Sequence, residues 1–110
     1  MSYRIERLET FDKQTKRLAK KYPSLKEDLR VLFDSLAEEP TQGAVIEKGC
    51  YKVRMAVKSK RQGKSGGAII ITFVKVIQET VHLMAIYDKS EKEDLNDGEL
   101  DGYLALISDQ

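Results

Sequence analysis

A run of basic side chains with no acid among them is the part of this sequence best suited to chemistry. Residues 48–75 contain eight Lys and Arg residues and no Asp or Glu, although the whole 110-residue chain has a formal charge of only +1. They are Lys48, Lys52, Arg54, Lys58, Lys60, Arg61, Lys64 and Lys75. Each neutralised phosphate releases counterions, and a neighbouring carboxylate would cancel that gain, so these cations predict a polyanion-binding site.

Negative charge is concentrated at the other end of the chain. Residues 88–110 contain eight acids and two lysines, Lys89 and Lys92. The acids do not have the spacing of a calcium-binding loop, and a solvated helix face explains them better. The chain is therefore nearly neutral overall but carries its positive and negative charges in separate segments.

Other chemistries are disfavoured by residue type and spacing. The glycine turn at residues 63–67 lacks the first glycine of a nucleotide-binding loop, because Lys58 stands at that position. His82 is the only histidine and Cys50 the only cysteine, so we expect both to be packing residues. The sequence predicts no metal and no cofactor.

The N-terminal half predicts a strand followed by two helices. Residues 3–8 alternate apolar and charged side chains, and from Phe11 the apolar spacing becomes helical until Pro23 ends the pattern. Ser24 with Glu27 resembles a capping box at the start of a second amphipathic helix, which ends before Pro40.

The C-terminal half predicts three strands and a final helix. Residues 51–58 alternate, which would line their basic side chains along one open face. Residues 68–77 are nearly all apolar, as in a central strand, and residues 80–87 alternate again. Asn96 with Glu99 resembles a capping box for the last helix, which Gly98 and Gly102 should weaken.

Together these elements predict one α+β domain spanning residues 1–110. It would be a small, twisted, mainly antiparallel sheet with an N-terminal helical hairpin and a C-terminal helix. The longest apolar run is too short to cross a bilayer, and the N-terminus lacks the apolar core of a secretory signal. We therefore expect a cytoplasmic protein without a membrane partner.

Several segments, in this order, resemble the RelE/ParE superfamily of bacterial toxin–antitoxin toxins, and most closely its HigB-like branch. The resemblance covers about residues 8–107. Its segments are Phe11-Asp12-Lys13, Leu18-Ala19-Lys20-Lys21-Tyr22, Tyr51-Lys52-Val53-Arg54, Gly63-Lys64-Ser65-Gly66-Gly67-Ala68 and the run from Ile86 to Leu95.

The resemblance implies a RelE-like fold and a ribosome-dependent endoribonuclease that cuts mRNA and inhibits translation without a metal. It also implies a cognate antitoxin, with operator DNA contacted only indirectly through the toxin–antitoxin complex. Arg54 would grip phosphate, and Tyr87 would stack on a base with Lys89 nearby. Acid–base or electrostatic roles fall to Lys58, Lys60, Arg61 and Lys64, and Lys52 would bind RNA.

Other readings of the same residues remain open. A ParE-like gyrase inhibitor would need no nuclease site, and a degenerate toxin could persist as an antitoxin-binding partner. The second alternative is motivated by Ile69, which stands where members of this branch commonly have an arginine. A lysine-rich edge strand can also serve only to prevent aggregation, and Tyr87 can be a half-buried strand-end aromatic.

Overall fold

The computed structural model describes residues 2–60 and 66–107 of the chain. Helix α1 (Glu9–Lys21) ends just before Pro23, and helix α2 (Leu25–Glu38) ends just before Pro40. A proline disfavours helical backbone at the residue before it, which explains both ends. A short helix α3 (Glu99–Ala105) comes last.

Five strands form one mixed sheet. They are β1 (Arg4–Arg7), β2 (Ala44–Val45), β3 (Cys50–Met55), β4 (Ala68–Lys75) and β5 (Thr80–Asp88), in the order β1-β5-β4-β3-β2. Strand β1 is parallel to β5, and the other pairs are antiparallel. The predicted α+β class and the mainly antiparallel sheet are therefore confirmed.

The two faces of the sheet are covered by different parts of the chain. Helices α1 and α2 pack on one face, where Phe11, Leu18 and Leu29 meet Val53 and Ile70. On the other face, a second cluster joins the central strands to side chains of the C-terminal part of the chain. Strand β4 is central and covered on both sides, as its nearly all-apolar sequence predicts.

Local details differ from the sequence predictions. Ser24 is the N-cap residue of α2, but its hydroxyl makes no capping bond and instead donates to the Asp28 carboxylate at 2.7 Å. The predicted capping box is therefore wrong. Strand β2 was not predicted, because two exposed residues carry no periodic signal.

The final helix is shorter than the sequence indicates. It begins at Glu99, and Gly98 precedes it as a left-handed N-cap residue with φ of 84°. Gly98 therefore lies outside the helix and does not destabilise it, whereas Gly102 lies inside the helix and does. Within residues 2–60 and 66–107, no helix combines the length and apolar character that a bilayer crossing needs.

Candidate functional site

Three neighbouring strands bring Arg54 and Tyr87 to the same face of the sheet, with Ile69 between them. Arg54 of β3 is in register with Ile69 of β4, and Ile69 is in register with Tyr87 of β5. Residues directly opposite each other on paired strands share a face. The sheet register thus joins two predicted site residues from distant segments of the sequence.

Arg54 is an exposed cation on this face. Its side chain has no hydrogen bond or ion pair to any other residue that the structure describes. An arginine stays charged at all physiological pH values and presents several donors in a planar fork. Arg54 is therefore available to an external anion.

Tyr87 is covered rather than open. Only 7% of the residue is exposed, and its hydroxyl donates a hydrogen bond to the Glu93 carbonyl oxygen at 3.1 Å. Burial raises the pKa of Tyr87 to about 12, with the nearby Asp94 and Glu99 carboxylates adding to the effect. The phenol is therefore neutral at pH 7. Its ring can stack on a nucleobase only if the part of the chain that covers it moves away.

Tyr87 is covered by residues 89–107, which we call the C-terminal segment. Its apolar side chains Leu95, Leu100, Tyr103 and Leu104 pack against the cluster that contains Ile69 and Tyr87. The segment is also the acidic part of the chain. It therefore places carboxylates beside the cationic face.

Two lysines of this face are paired with the C-terminal segment. Lys52 Nζ lies 2.6 Å from Asp94 Oδ1, and Lys48 Nζ lies 2.6 Å from Asp101 Oδ1. The hydrogen bond from Lys52, with its charge and that of Arg54, lowers the pKa of Asp94. The predicted open basic face is thus wrong for Lys52, whose side chain is only 14% exposed.

The stability of this cover can be tested at its two glycines. Gly102 lies inside α3 and an added Cβ would meet no atom within 4 Å, so Gly102→Ala should stabilise the protein by about 1 kcal/mol. Gly98→Ala should destabilise it by about 1 kcal/mol, because an L side chain is strained at positive φ. Thermal unfolding of both variants measures the difference.

Hydrogen exchange provides a second readout of the same prediction. Backbone amides of residues 100–107 should exchange well before those of residues 69–74 in the wild-type protein. Gly102→Ala should slow the first set and leave the second unchanged. Equal protection of both sets in the wild type would contradict a labile C-terminal segment.

Lys60 is held in a buried ion pair rather than presented to solvent. Its Nζ lies 2.6 Å from Asp88 Oδ1, with the two side chains 7% and 1% exposed, and 5.1 Å from the ring centroid of Tyr22. The Tyr22 hydroxyl donates to the other Asp88 oxygen at 2.5 Å, and Ser90 donates twice to Oδ1. This geometry suits a structural role for Lys60.

The protonation state of Asp88 follows from the same contacts. Burial alone would raise the pKa of this carboxyl group, but hydrogen bonds from Lys60, Tyr22 and Ser90 outweigh it and hold the pKa well below its usual range. Asp88 is therefore ionised at neutral pH. It anchors the end of β5 to the turn that carries Lys60.

Lys58 has an exposed side chain on a firmly anchored backbone. It opens a single 3₁₀ turn (Lys58–Lys60) that follows β3. The backbone N–H of Lys58 donates to Asp28 at 3.1 Å, and that of Ser59 donates to the Ser24 hydroxyl at 2.8 Å. The start of α2 thus fixes the turn, while the ammonium group of Lys58 remains exposed.

Lys89 and Gly67 meet beyond the ends of β5 and β4. The backbone N–H of Lys89 donates to the Gly67 carbonyl oxygen at 3.1 Å, and the Lys89 side chain is half-buried. A Cβ on Gly67 would lie 1.9 Å from the Met55 carbonyl oxygen, so only glycine fits this close approach of two backbones. Arg61 and Lys64, also predicted site residues, lie outside the described residues.

Sequence reasoning missed the side chains that anchor this region. Asp88 ends β5, Tyr22 follows α1 and Asp28 lies in α2, and each makes a side-chain contact to the Lys58–Lys60 turn. One signal was present, since Asp88 is the only acid in β5 and ends that strand. Within residues 2–60 and 66–107, no cluster of three or more His, Cys, Asp or Glu side chains is arranged to hold a metal ion.

Comparison with solved structures identifies the fold. A mutant of the E. coli toxin RelE in the free state shares 16% identity and aligns with a TM-score of 0.61 over 84% of this chain and 90% of that chain. The isolated E. coli RelE toxin shares 15% identity, with a TM-score of 0.60 over 96% and 99% of the two chains. The chain has the RelE fold.

A further neighbour comes from the RelBE2 toxin–antitoxin complex of Mycobacterium tuberculosis. It shares 14% identity, with a TM-score of 0.59 over 80% of this chain and 92% of that chain. No family model matches the sequence. The resemblance to the RelE/ParE superfamily is therefore supported at the level of the RelE fold, and the HigB-like branch stays a prediction.

Proposed function

We propose that this protein is a toxin of a type II toxin–antitoxin system and cleaves mRNA on the ribosome without a metal ion. One observation carries the proposal. On a RelE fold, the Arg54 side chain is exposed, makes no ion pair or hydrogen bond with any described residue, and shares a face of the sheet with Tyr87. We place the protein in the cytoplasm, where translating ribosomes are.

The proposed reaction needs three kinds of group. A base removes the proton of a ribose 2′-OH, a cation stabilises the negative charge that develops on the phosphate oxygens, and an acid protonates the departing 5′-oxygen. Arg54 supplies the cation. Lys58, which is exposed, and Lys64 are the lysines for proton transfer, Arg61 stabilises negative charge because an arginine stays protonated, and Tyr87 stacks on a nucleobase.

Lys52, Lys60 and Lys89 have supporting roles in this proposal. Lys52 binds RNA phosphate once it leaves Asp94, and Lys89 binds RNA beside Tyr87. Lys60 is a positioning residue, because its ion pair with Asp88 holds in place the turn that carries Lys58.

RNA binding requires the C-terminal segment to move. The segment covers Tyr87 and pairs Asp94 with Lys52, so RNA phosphates must replace its carboxylates. RNA phosphates can take the place of these carboxylates because both groups are negatively charged. The free protein is therefore in a covered state, and the ribosome-bound protein is uncovered.

The partners follow from the same proposal. A cognate antitoxin neutralises the protein, as suggested by the similarity to a chain from the RelBE2 toxin–antitoxin complex. Contact with operator DNA is indirect, through that complex.

A second candidate function is that of a degenerate toxin kept as an antitoxin-binding partner. Ile69 favours it, because this residue is fully buried between Arg54 and Tyr87, where a cation would otherwise stand.

Cleavage of translated mRNA tests the proposal. Purified protein is incubated with an mRNA in the presence or absence of translating ribosomes, and the new 5′ ends are mapped by primer extension. We expect discrete cuts within the reading frame with ribosomes and little cleavage of naked RNA. Absence of any ribosome-dependent cut at all protein-to-ribosome ratios would contradict the nuclease, and inhibition of gyrase supercoiling in its place would support the ParE-like alternative.

A further inference from the structure

Two side chains of the C-terminal segment occupy the two parts of the proposed RNA site. The ammonium group of Lys92 lies over the Tyr87 ring, 5.6 Å from its centroid. Asp94 Oδ1 lies 2.6 Å from Lys52 Nζ, and the charge of Arg54 also acts on this carboxylate. Lys92 and Asp94 are two residues apart, so their Cα atoms are separated by at most about 7.6 Å. One short stretch of chain therefore reaches both the aromatic ring and the cations.

Lys92 is held over the ring by a contact within its own segment. Its ammonium group pairs with the Glu99 carboxylate, and both side chains are half-buried. The same carboxylate accepts the backbone N–H of Asn96 at 2.5 Å. The face of an aromatic ring attracts a cation and also stacks on a nucleobase. The ammonium group of Lys92 therefore stands where a base would stack on Tyr87.

Asp94 stands in the corresponding position for a phosphate. A lysine binds a carboxylate oxygen and a phosphate oxygen through the same kind of charge-assisted hydrogen bond. The Asp94 side chain is 80% exposed, and solvent screens such a pair, so its bond to Lys52 contributes little to the stability of the fold. The contact is therefore weak enough for an RNA phosphate to displace the carboxylate.

We infer that residues 92–94 act as an intramolecular mimic of an RNA nucleotide and make the free protein autoinhibited. Lys92 takes the place of a nucleobase on Tyr87, and Asp94 takes the place of a phosphate on Lys52. The inference rests on the proposed function and deepens it, because it names the groups that RNA must displace. It also assigns the stacked base and the phosphate bound by Lys52 to the same nucleotide or to adjacent ones.

Binding of single-stranded RNA tests the mimic without ribosomes. The probe is fluorescent hexaadenylate, because stacking on an aromatic ring tolerates any base. In fluorescence anisotropy at low salt, Asp94→Asn should bind the probe about two- to fivefold more tightly than wild type, because the competing charge is gone.

Asp97→Asn is the matched control for this measurement. Asp97 is an exposed acid of the same segment and makes no ion pair with any described residue. Its replacement removes the same charge from the protein as Asp94→Asn does. It should change the affinity for the probe by less than about 1.5-fold, because salt screens a charge outside the site.

A charge-neutral double variant tests the position over the ring. Lys92→Ala combined with Glu99→Gln removes both charges of the pair and leaves the net charge of the protein unchanged. General electrostatic attraction to RNA is then unaltered. The uncovered ring of Tyr87 should nevertheless tighten binding of the probe about two- to fivefold, because a base no longer competes with the ammonium group.

A double-mutant cycle tests the position of the phosphate. The gain from Asp94→Asn should disappear in a Lys52→Gln background, because the carboxylate and the phosphate compete for the same ammonium group. A gain that persists in that background would overturn the inference, since loosening of the segment would then explain it.

Four further results would overturn the inference. They are no saturable binding of the probe by any variant, wild-type affinity of Asp94→Asn, an equal gain with Asp97→Asn, and no gain with the charge-neutral double variant. If the expected gains were found without ribosome-dependent cleavage of mRNA, the nuclease would be refuted and the mimicry of RNA would stand. Failure of the inference is therefore distinct from failure of the proposed function.

Discussion

Replacement of Arg54 by alanine should lower ribosome-dependent mRNA cleavage by about 10²–10³-fold, the usual cost of removing one charge-stabilising donor from a transition state. The structure motivates this magnitude because Arg54 is exposed on the sheet and contacts no counter-ion among the described residues. The measurement is the rate of primer-extension products on translated mRNA. Thermal unfolding should be nearly unchanged, since an exposed side chain leaves no cavity.

Arg4→Gln is the control for the Arg54 prediction. Arg4 is also an exposed strand arginine, but it lies in β1 at the opposite edge of the sheet. Its loss should leave the cleavage rate within about twofold of wild type, because it is outside the proposed site. Equal activity of wild type and Arg54→Ala would place the phosphate-binding residue on another element.

Replacement of Asp88 by asparagine should destabilise the protein by roughly 3–5 kcal/mol, because it leaves the Lys60 ammonium buried without its counter-charge. For a domain of this size, the melting temperature should fall by more than about 10 °C. Changing Lys60 to methionine in the same chain should recover part of the loss, because the buried charge is then removed. Calorimetry of the single and double variants measures both effects.

Asp94→Asn is the matched control, since Asp94 also accepts a lysine at 2.6 Å but its side chain is 80% exposed. Its melting temperature should stay close to that of wild type, because solvent screens an exposed pair. If Asp88→Asn and Asp94→Asn melted at the same temperature, the buried pair would not be the anchor described above.

The depressed pKa of Asp88 also predicts the direction of the pH dependence. A carboxyl group whose pKa is lower in the folded than in the unfolded chain stabilises the fold above its unfolded pKa, which is about 4. That stabilisation should be present at neutral pH and lost progressively as the pH falls below about 4. Asp88→Asn should show a smaller loss of stability than wild type over the same acid range.

Local periodicity determined most of the secondary structure. The helical spacing of Phe11 and Leu18 and the nearly all-apolar run of β4 arise within each segment, so the sequence shows them directly. Prolines marked the ends of α1 and α2 for the same reason. The cap of α2 was predicted less well, because the Ser24 hydroxyl bonds to the Asp28 side chain and to the Lys58–Lys60 turn instead of to a backbone N–H of its own helix. Before α3, the Asn96 N–H does donate to the Glu99 carboxylate, as one half of the predicted capping box requires.

The sequence also showed that the site is cationic, but it did not show which cations are paired or buried. Lys60 and its partner Asp88 are 28 residues apart, and Lys52 and Asp94 are 42 residues apart. Such pairs form only when the strands are in register and the C-terminal segment packs on the sheet. The tertiary structure therefore decided that Arg54 is exposed without an ion pair to a described residue, that Lys60 is a buried anchor and that Tyr87 is covered, because charge pairing and burial depend on neighbours in space rather than along the chain.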